Sequence, residues 1–300
     1  MQANVKKNKK RYTLKNTVAG YLCISGFLIL YLLFMVYPLL DGFFTSFTSW
    51  NIMGPKEFVG LQNYIDLFKT PMFWSSLWHT IIFVLLSVPA LLVAGFLLAS
   101  LVDHKNLKGN AFFRITFFSP SVLSVAIISY LWVCVLQPYN GLLNGLLNTV
   151  GVQNEIFWLR DRGLVWVSLV IITIWWTVGF NMVLYLAAMQ DVPDEIYESA
   201  ELDGANGFQK MRYITIPYLK NTHVLLLFLQ TVASFKVFGQ VFLTTQGGPS
   251  GATRTYIQYI YETAFQRFYI GSGTAASIIL FLIILLISLF QLKILKASPE

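Results

Sequence analysis

The chain has 300 residues, of which 56% are hydrophobic and only 12% charged, and its formal net charge is +7. About a quarter of the residues of a soluble domain are charged, so this composition excludes a soluble enzyme or binding module and indicates a polytopic membrane protein. The positive charge does not indicate nucleic-acid binding: Lys6, Lys7, Lys9, Lys10, Arg11 and Lys15 all precede the first apolar run, where they set orientation or touch anionic lipid, and no basic, aromatic-interleaved fold follows.

The predicted fold is all-α, with six transmembrane helices. After a basic tail, 1–17, the apolar segments fall at about 18–40, 78–102, 112–136, 164–189, 222–243 and 271–295, with a short tail at 296–300. Each is near or above the roughly 20 residues that a spanning helix needs. The first is too long for a signal-peptide core and no small-x-small cleavage site follows, so it reads as a retained anchor. Pro38 and Asp41 mark its outer end. Pro89 lies inside the second segment and Pro120 near the start of the third, positions tolerated where neighbouring helices satisfy the freed backbone. Cys23 and Cys134 fall inside apolar runs and read as packing residues, with no disulfide framework and no zinc spacing.

Lys and Arg give the orientation. With the N-terminus cytoplasmic, that side carries fourteen of the 21 basic residues and the outer loops six, while Lys236 lies in the fifth segment. The bias places both termini and the 190–217 loop in the cytoplasm. The outer loops hold Trp50, Tyr64, Phe68, Phe73 and Trp74, then Tyr139, Phe157 and Trp158. These suit an interfacial aromatic belt with short surface helices, or a docking surface for an extracytoplasmic partner.

The 190–217 loop is polar and acid-rich between long apolar runs. Asp191 is placed to cap a helix and Pro193 to open its first turn. Asp194, Glu195 and Glu198 then lie near the positive end of the helix dipole. Ile196, Ala200 and Asp203 share a face. Gly204 is the expected helix end, since glycine adopts the left-handed C′ conformation at little cost. Asn206 with Gln209 reads as a capping box for a second helix. Pro217 disfavours helix at Ile216, so an extended exit is expected. Tyr197, Phe208, Met211 and Tyr213 are exposed aromatic or apolar groups among charges. A solvated connector is one reading of this loop; two capped helices favour a protein partner.

No Gly-x-x-x-x-Gly-Lys-Ser/Thr, Gly-x-Ser-x-Gly or His-Glu-x-x-His occurs, so the chain has no P-loop and no recognisable hydrolase or metalloprotease centre. His79, His104 and His223 are scattered near segment ends and read as structural. No cofactor is expected. Lys236 is costly inside a membrane segment, roughly 2.5–3.5 kcal/mol at the centre, and Gln240 follows at i+4 on the same face. In segment four, Trp176, Phe180 and Asn181 fall close to one face, with Thr177 beside them. Aromatic faces with amide and ammonium groups suit a sugar. Polar glue between packed helices explains the same residues.

The pattern Glu198-Ser199-Ala200, then Gly204, then Ile214-Thr215-Ile216-Pro217 resembles the EAA loop of ABC importer permeases, with Ser199 and Ile216 as mild departures. Pro193 through Tyr197 and Asp203-Gly204-Ala205 are similar to the carbohydrate-uptake branch. So are Gly60-Leu61-Gln62-Asn63-Tyr64, Gly179-Phe180-Asn181 and Gly247-Gly248-Pro249, and the resemblance covers about residues 15–295. It implies a type I permease fold and a non-enzymatic subunit in the bacterial plasma membrane. It also implies a second homologous permease, a cytoplasmic ATPase dimer, an extracytoplasmic solute-binding protein and a carbohydrate cargo, with glycerol-phosphate-type cargo as the alternative. Glu198 would meet a basic residue of the ATPase, Gly204 would allow the turn, and Ala200, Ala205 and Phe208 would fill its cleft, with Ser199 and Pro217 completing the motif. Segments four and five would line the pathway, which makes Trp176, Thr177, Phe180, Asn181, Lys236 and Gln240 substrate candidates. An ion-gradient transporter would need inverted repeats or mid-membrane acids, and a membrane enzyme paired carboxylates or metal ligands; the sequence has none of these.

Overall fold

The computed structural model describes residues 19–52, 54–103, 109–152 and 154–296. The basic tail at 1–17, His104, Lys105, Lys108 and residues 297–300 lie outside that range. The chain divides into two units, residues 1–67 with 263–278 and residues 68–262 with 279–300.

In the first unit, helix α1 spans Ala19–Thr45 and buries none of its apolar window within the chain. Pro38 does not end it, contrary to expectation. A π-helical turn at Leu32–Val36 runs just ahead of the proline, with Tyr37 N–H bonding to Leu32 O five residues back. The widened register accommodates the ring and the missing N–H, so the helix runs on. Beyond it, Asn63 of α2 (Gln62–Lys69) is buried and donates to Ser46 O and Thr48 O, both at 2.8 Å, while accepting from Ser272 Oγ at 3.1 Å. The Tyr64 hydroxyl meets Ser46 Oγ at 2.7 Å. The Gly60–Tyr64 signature therefore fastens the outer loop to the backbone at Ser46 and Thr48. Lys56 is similarly engaged, with Asp41 at 3.6 Å, Thr45 Oγ1 at 2.8 Å and the Trp50 ring centroid at 5.1 Å.

In the second unit, α3 (Pro71–Val102) begins seven residues before the predicted segment, with Pro71 at a position where its missing N–H costs nothing. The predicted third segment is sharply bent. Helix α4 (Asn110–Phe118) tightens into a 3₁₀ turn at Ser119–Val122, and α5 (Val125–Leu136) leaves at 101°. Pro120 removes a backbone donor there, Leu123 is extended, and Ser124 restarts the helix as N-cap. The Ser121 hydroxyl holds the bend against α7 (Leu164–Gln190) by donating to Trp176 O. Between them, α6 (Leu142–Thr149) is pinned by Asn144, which accepts from Trp158 Nε1 at 2.9 Å and donates to Glu155. Tyr139 and Phe157 pack edge to face, so these outer aromatics serve the loop's own fold.

Helices α8 (Asp194–Leu202), α9 (Gly207–Lys210) and α10 (Ile216–Tyr218) form the intervening loop. The fifth predicted segment is then broken. Helix α11 (Lys220–Phe235) stops at Lys236, and α12 (Gly239–Thr244) starts after Phe238, whose φ of −145° and ψ of −68° are not helical. Past the break the chain lies along α5, with the Cβ position of Gly239 3.4 Å from the Val125 methyls. Helix α13 (Tyr256–Tyr261) and α14 (Ile270–Lys296) complete the order. Among the described residues, four helices are long and apolar enough to cross a membrane, or five if the bent α4–α5 pair is one span, rather than the six expected. Cys23 and Cys134 are free, as expected, but both are exposed instead of packed.

Lipid chains are as apolar as leucine, so helices in a bilayer associate through close packing and hydrogen bonds. The second unit has both. A Cβ on Gly95 of α3 would lie 2.7 Å from Asn181 Cβ, and one on Gly179 of α7 would lie 2.1 Å from Phe117 O. Ser87 and Ser234 share a hydrogen bond at 3.1 Å, and Gln291 Nε2 donates to Thr231 Oγ1 at 3.1 Å. Ala99, Met182, Tyr185 and Leu226 fill the core around these crossings.

Candidate functional site

Helix α8 ends in a Schellman motif. Gly204 adopts φ +81°, its N–H reaches Glu201 O at 3.0 Å, and Ala205 N–H reaches Ala200 O at 2.8 Å. The capping box follows as read from sequence, with Gln209 N–H to Asn206 Oδ1 at 2.9 Å and Asn206 N–H to Gln209 Oε1 at 2.7 Å. Three features differ from expectation. Pro193 is the N-cap of α8 instead of a first-turn residue, and Asp191 closes α7, its carbonyl accepting the Tyr218 hydroxyl at 3.1 Å. Ile216 is helical, because a π turn at Met211–Thr215 precedes Pro217 as one precedes Pro38. Lys210 pairs with Glu201, and the Tyr197 hydroxyl meets Thr215 Oγ1 at 2.9 Å, joining the two arms. Tyr197 and Met211 are consequently half-buried, not free on the surface.

What remains outside is informative. Glu198, Ser199 and Gly204 are exposed, Ala200 and Ala205 half-exposed, and Phe208 and Tyr213 are 66% and 72% accessible. Leu202, which the sequence reading did not single out, is 91% accessible. A loop ordered by the Gly204 turn and the Asn206–Gln209 box thus presents a carboxylate and three large apolar groups that this chain does not cover.

The second constellation is a cavity of about 330 Å³. Trp176, Thr177, Lys236 and Gln240 line it, together with Gln230 and Ser234. Lys236 is exposed at the break after α11, and among the described residues no carboxylate lies within ion-pair distance of it. Gln240 is buried, its Nε2 donating to Leu169 O and Thr173 Oγ1, both at 3.0 Å. Phe180 and Asn181 do not line the cavity. One residue apart on α7, they turn to opposite environments: Phe180 is outward and Asn181 wholly buried. Of the three, only Trp176 lines the cavity. Gln230 went unremarked in the sequence, where the signal was a single amide inside the run Leu225 to Ala233.

The outer signatures have structural roles too. A Cβ on Gly247 would fall 2.7 Å from Gln258 Nε2, which itself donates to Gln246 O and to Glu262 Oε1. Glu262 pairs with Arg254 at 3.0 Å. Among the described residues no group of His, Cys, Asp and Glu is arranged to hold a metal ion.

Comparison with known proteins agrees with this layout. The family model described as "Binding-protein-dependent transport system inner membrane component" matches residues 68–297. The probable starch degradation products transport system permease protein AmyD of Thermoanaerobacterium thermosulfurigenes is 32% identical, the match covering 94% of this chain and 96% of that one. The lactose transport system permease protein LacF of Rhizobium radiobacter is 30% identical, over 100% and 99% of the two chains. In the crystal structure of a bacterial ABC transporter involved in import of the acidic polysaccharide alginate, one chain shares this fold with a TM-score of 0.87 at 23% identity, covering 97% of this chain and 100% of that one. The chain belongs to the family of binding-protein-dependent transport system inner membrane components.

Proposed function

We propose that this chain is the membrane-spanning permease subunit of an ATP-driven, solute-binding-protein-dependent importer that brings a carbohydrate, a di- or oligosaccharide, into the cytoplasm. The single observation that carries the coupling role is the capped 190–217 loop with Leu202, Phe208 and Tyr213 uncovered beside Glu198. Large apolar groups on an ordered, charged surface mark a protein contact. The partner is the ATPase that this chain, lacking a P-loop, requires. In this mechanism ATP binding closes an ATPase dimer beneath two homologous permeases, the docked loops move, and the helices turn the pathway from inward to outward facing. Sugar delivered by the binding protein then enters, and no covalent bond of the sugar is made or broken. Both termini and the loop lie on the cytoplasmic side, and Trp176, Thr177 and Lys236 face the cargo. The carbohydrate assignment takes its support from relatives named for starch products and lactose.

Leu202→Asp is expected to lower co-purification of the ATPase at least fivefold while the permease remains in the membrane. Wild-type co-purification would contradict the docking role of this face.

The uncompensated ammonium of Lys236 favours a second reading, a phosphate-ester cargo of the glycerol-phosphate type. Under the carbohydrate reading, Lys236→Gln is expected to keep uptake of neutral oligosaccharide within about threefold of wild type, because a neutral hydrogen-bond donor suffices for a hydroxyl. Glycerol-phosphate uptake by the wild type, lost at least tenfold in Lys236→Gln, would select the second reading.

A further inference from the structure

We infer that Gln230 reads the hydroxyl pattern of the cargo and that Asn181, which never touches the cargo, positions it. This rests on the cavity being part of the sugar pathway. The polar groups around the cavity differ in what they leave available. Gln240 has given its amide hydrogens to Leu169 O and Thr173 Oγ1, the Thr177 hydroxyl donates to Thr173 O at 2.8 Å, and the Trp176 indole N–H donates to Leu123 O at 3.3 Å. Ser234 is bonded to Ser87. Among the described residues the Lys236 ammonium is a cavity donor with no protein acceptor.

Gln230 Nε2 donates to Asn181 Oδ1 at 2.7 Å, which leaves Oε1 with no protein partner among the described residues. The amide therefore offers the cavity its carbonyl oxygen and the one N–H that Asn181 does not take. A sugar hydroxyl both donates and accepts, so Gln230 Oε1 and Lys236 complement it from two sides while Trp176 supplies an apolar face.

Nothing within Gln230 fixes that orientation. Its terminal torsion is two-fold and soft, and a flipped amide would present two donors instead. Asn181 supplies the constraint. It is wholly buried on α7, against the point where Gly95 of α3 has no side chain, and its own Nδ2 has no partner among the described residues. An orphaned buried donor is costly, and Asn181 carries that cost while its carbonyl holds the Gln230 amide. Losing Asn181 should change which hydroxyl patterns are accepted, an effect that a general packing defect would not produce.

The test uses the complete importer in proteoliposomes with its native binding protein and ATP. The probe is a mixture of maltooligosaccharides, lactose and arabinooligosaccharides, with vesicle contents read by mass spectrometry. Asn181→Ala and Gln230→Ala are each expected to shift the proportions of sugars taken up at least threefold, in the same direction. The double variant should match Gln230→Ala alone. Independent, multiplying shifts in the double variant would overturn the inference, as would wild-type proportions in Asn181→Ala with less assembled complex. Trp176→Ala separates the two layers. If it too leaves uptake unchanged, the cavity is not the pathway. If it alters uptake while the Asn181 and Gln230 variants do not, only the present inference falls. Loading of none of these sugars by the wild type would remove the carbohydrate reading and this inference with it.

Discussion

Gly204→Val should cut ATP-driven uptake at least tenfold while the permease stays folded in the membrane. Gly204 sits at φ +81°, and the two Schellman hydrogen bonds depend on that left-handed residue. A side chain there costs about 1–2 kcal/mol, and a β-branched one falls at the upper end. No atom lies within 4 Å of the Cβ position, so the penalty is in the backbone and not in a collision. The chain escapes the strain by leaving the left-handed region. That movement re-aims α8 relative to α9 and displaces Glu198 and Leu202 from Phe208. Fold stability depends on the membrane helices and survives; the geometry of the exposed face does not. Gly204→Asn, which tolerates the left-handed region, should transport within about threefold of wild type. Uptake, ATP hydrolysis and ATPase co-purification measured together check this, and normal uptake by Gly204→Val in a normally assembled complex would refute the coupling role.

Gly179→Val should fail differently, by reducing folded protein in the membrane to less than a tenth. Its Cβ would sit 2.1 Å from Phe117 O and 2.7 Å from Phe118 Cα, and both are backbone. No rotamer change relieves such a contact, so α7 and the bent α4 must separate. Overpacking a core costs typically 1–3 kcal/mol and occasionally more; backbone against backbone, at a crossing that also carries the Ser121 bond to Trp176 O, falls at the high end. Against a stability of order 5–15 kcal/mol, and with in-cell quality control sensitive to changes of 1–2 kcal/mol, that removes most of the protein. Gly145→Ala on α6, where nothing lies within 4 Å, should be neutral. Size-exclusion chromatography of detergent extracts reads both variants. Wild-type amounts of monodisperse Gly179→Val would mean that the two helices do not cross as described.

The parts of the molecule that were legible in the sequence are those decided locally. A glycine after an acidic helix and the Asn206–Gln209 pair dictate their own hydrogen bonds, and the chain at 204–209 folds as those residues say. The family signatures were legible as patterns, but their physical work was not: Asn63 ties down a loop backbone, and Gly179 admits a neighbouring chain. Tertiary packing decided the rest. Pro38 reads as the outer end of a segment and Pro217 as forcing an extended exit at Ile216, yet a π turn before each lets the helix continue. The run at 222–243 is long and mostly apolar, and nothing in its composition announces that the helix breaks at Lys236 and restarts after Phe238. Periodicity placed Phe180 and Asn181 near one face. It cannot say which side of α7 is covered, and the 100° between consecutive residues was enough to separate them. Gln230 was missed because one amide in an apolar run carries meaning only when Asn181 is brought to it.

ATP-dependent uptake by the reconstituted importer is the most direct measurement of the central claim. Proteoliposomes would carry this chain with its partner permease and ATPases, with ATP enclosed on the loop side and the solute-binding protein with labelled oligosaccharide on the other. The account predicts accumulation that requires both ATP and the binding protein, is unaffected by collapsing proton and sodium gradients, and is abolished by Gly204→Val. Accumulation that persists without ATP and vanishes with the ion gradient would contradict it.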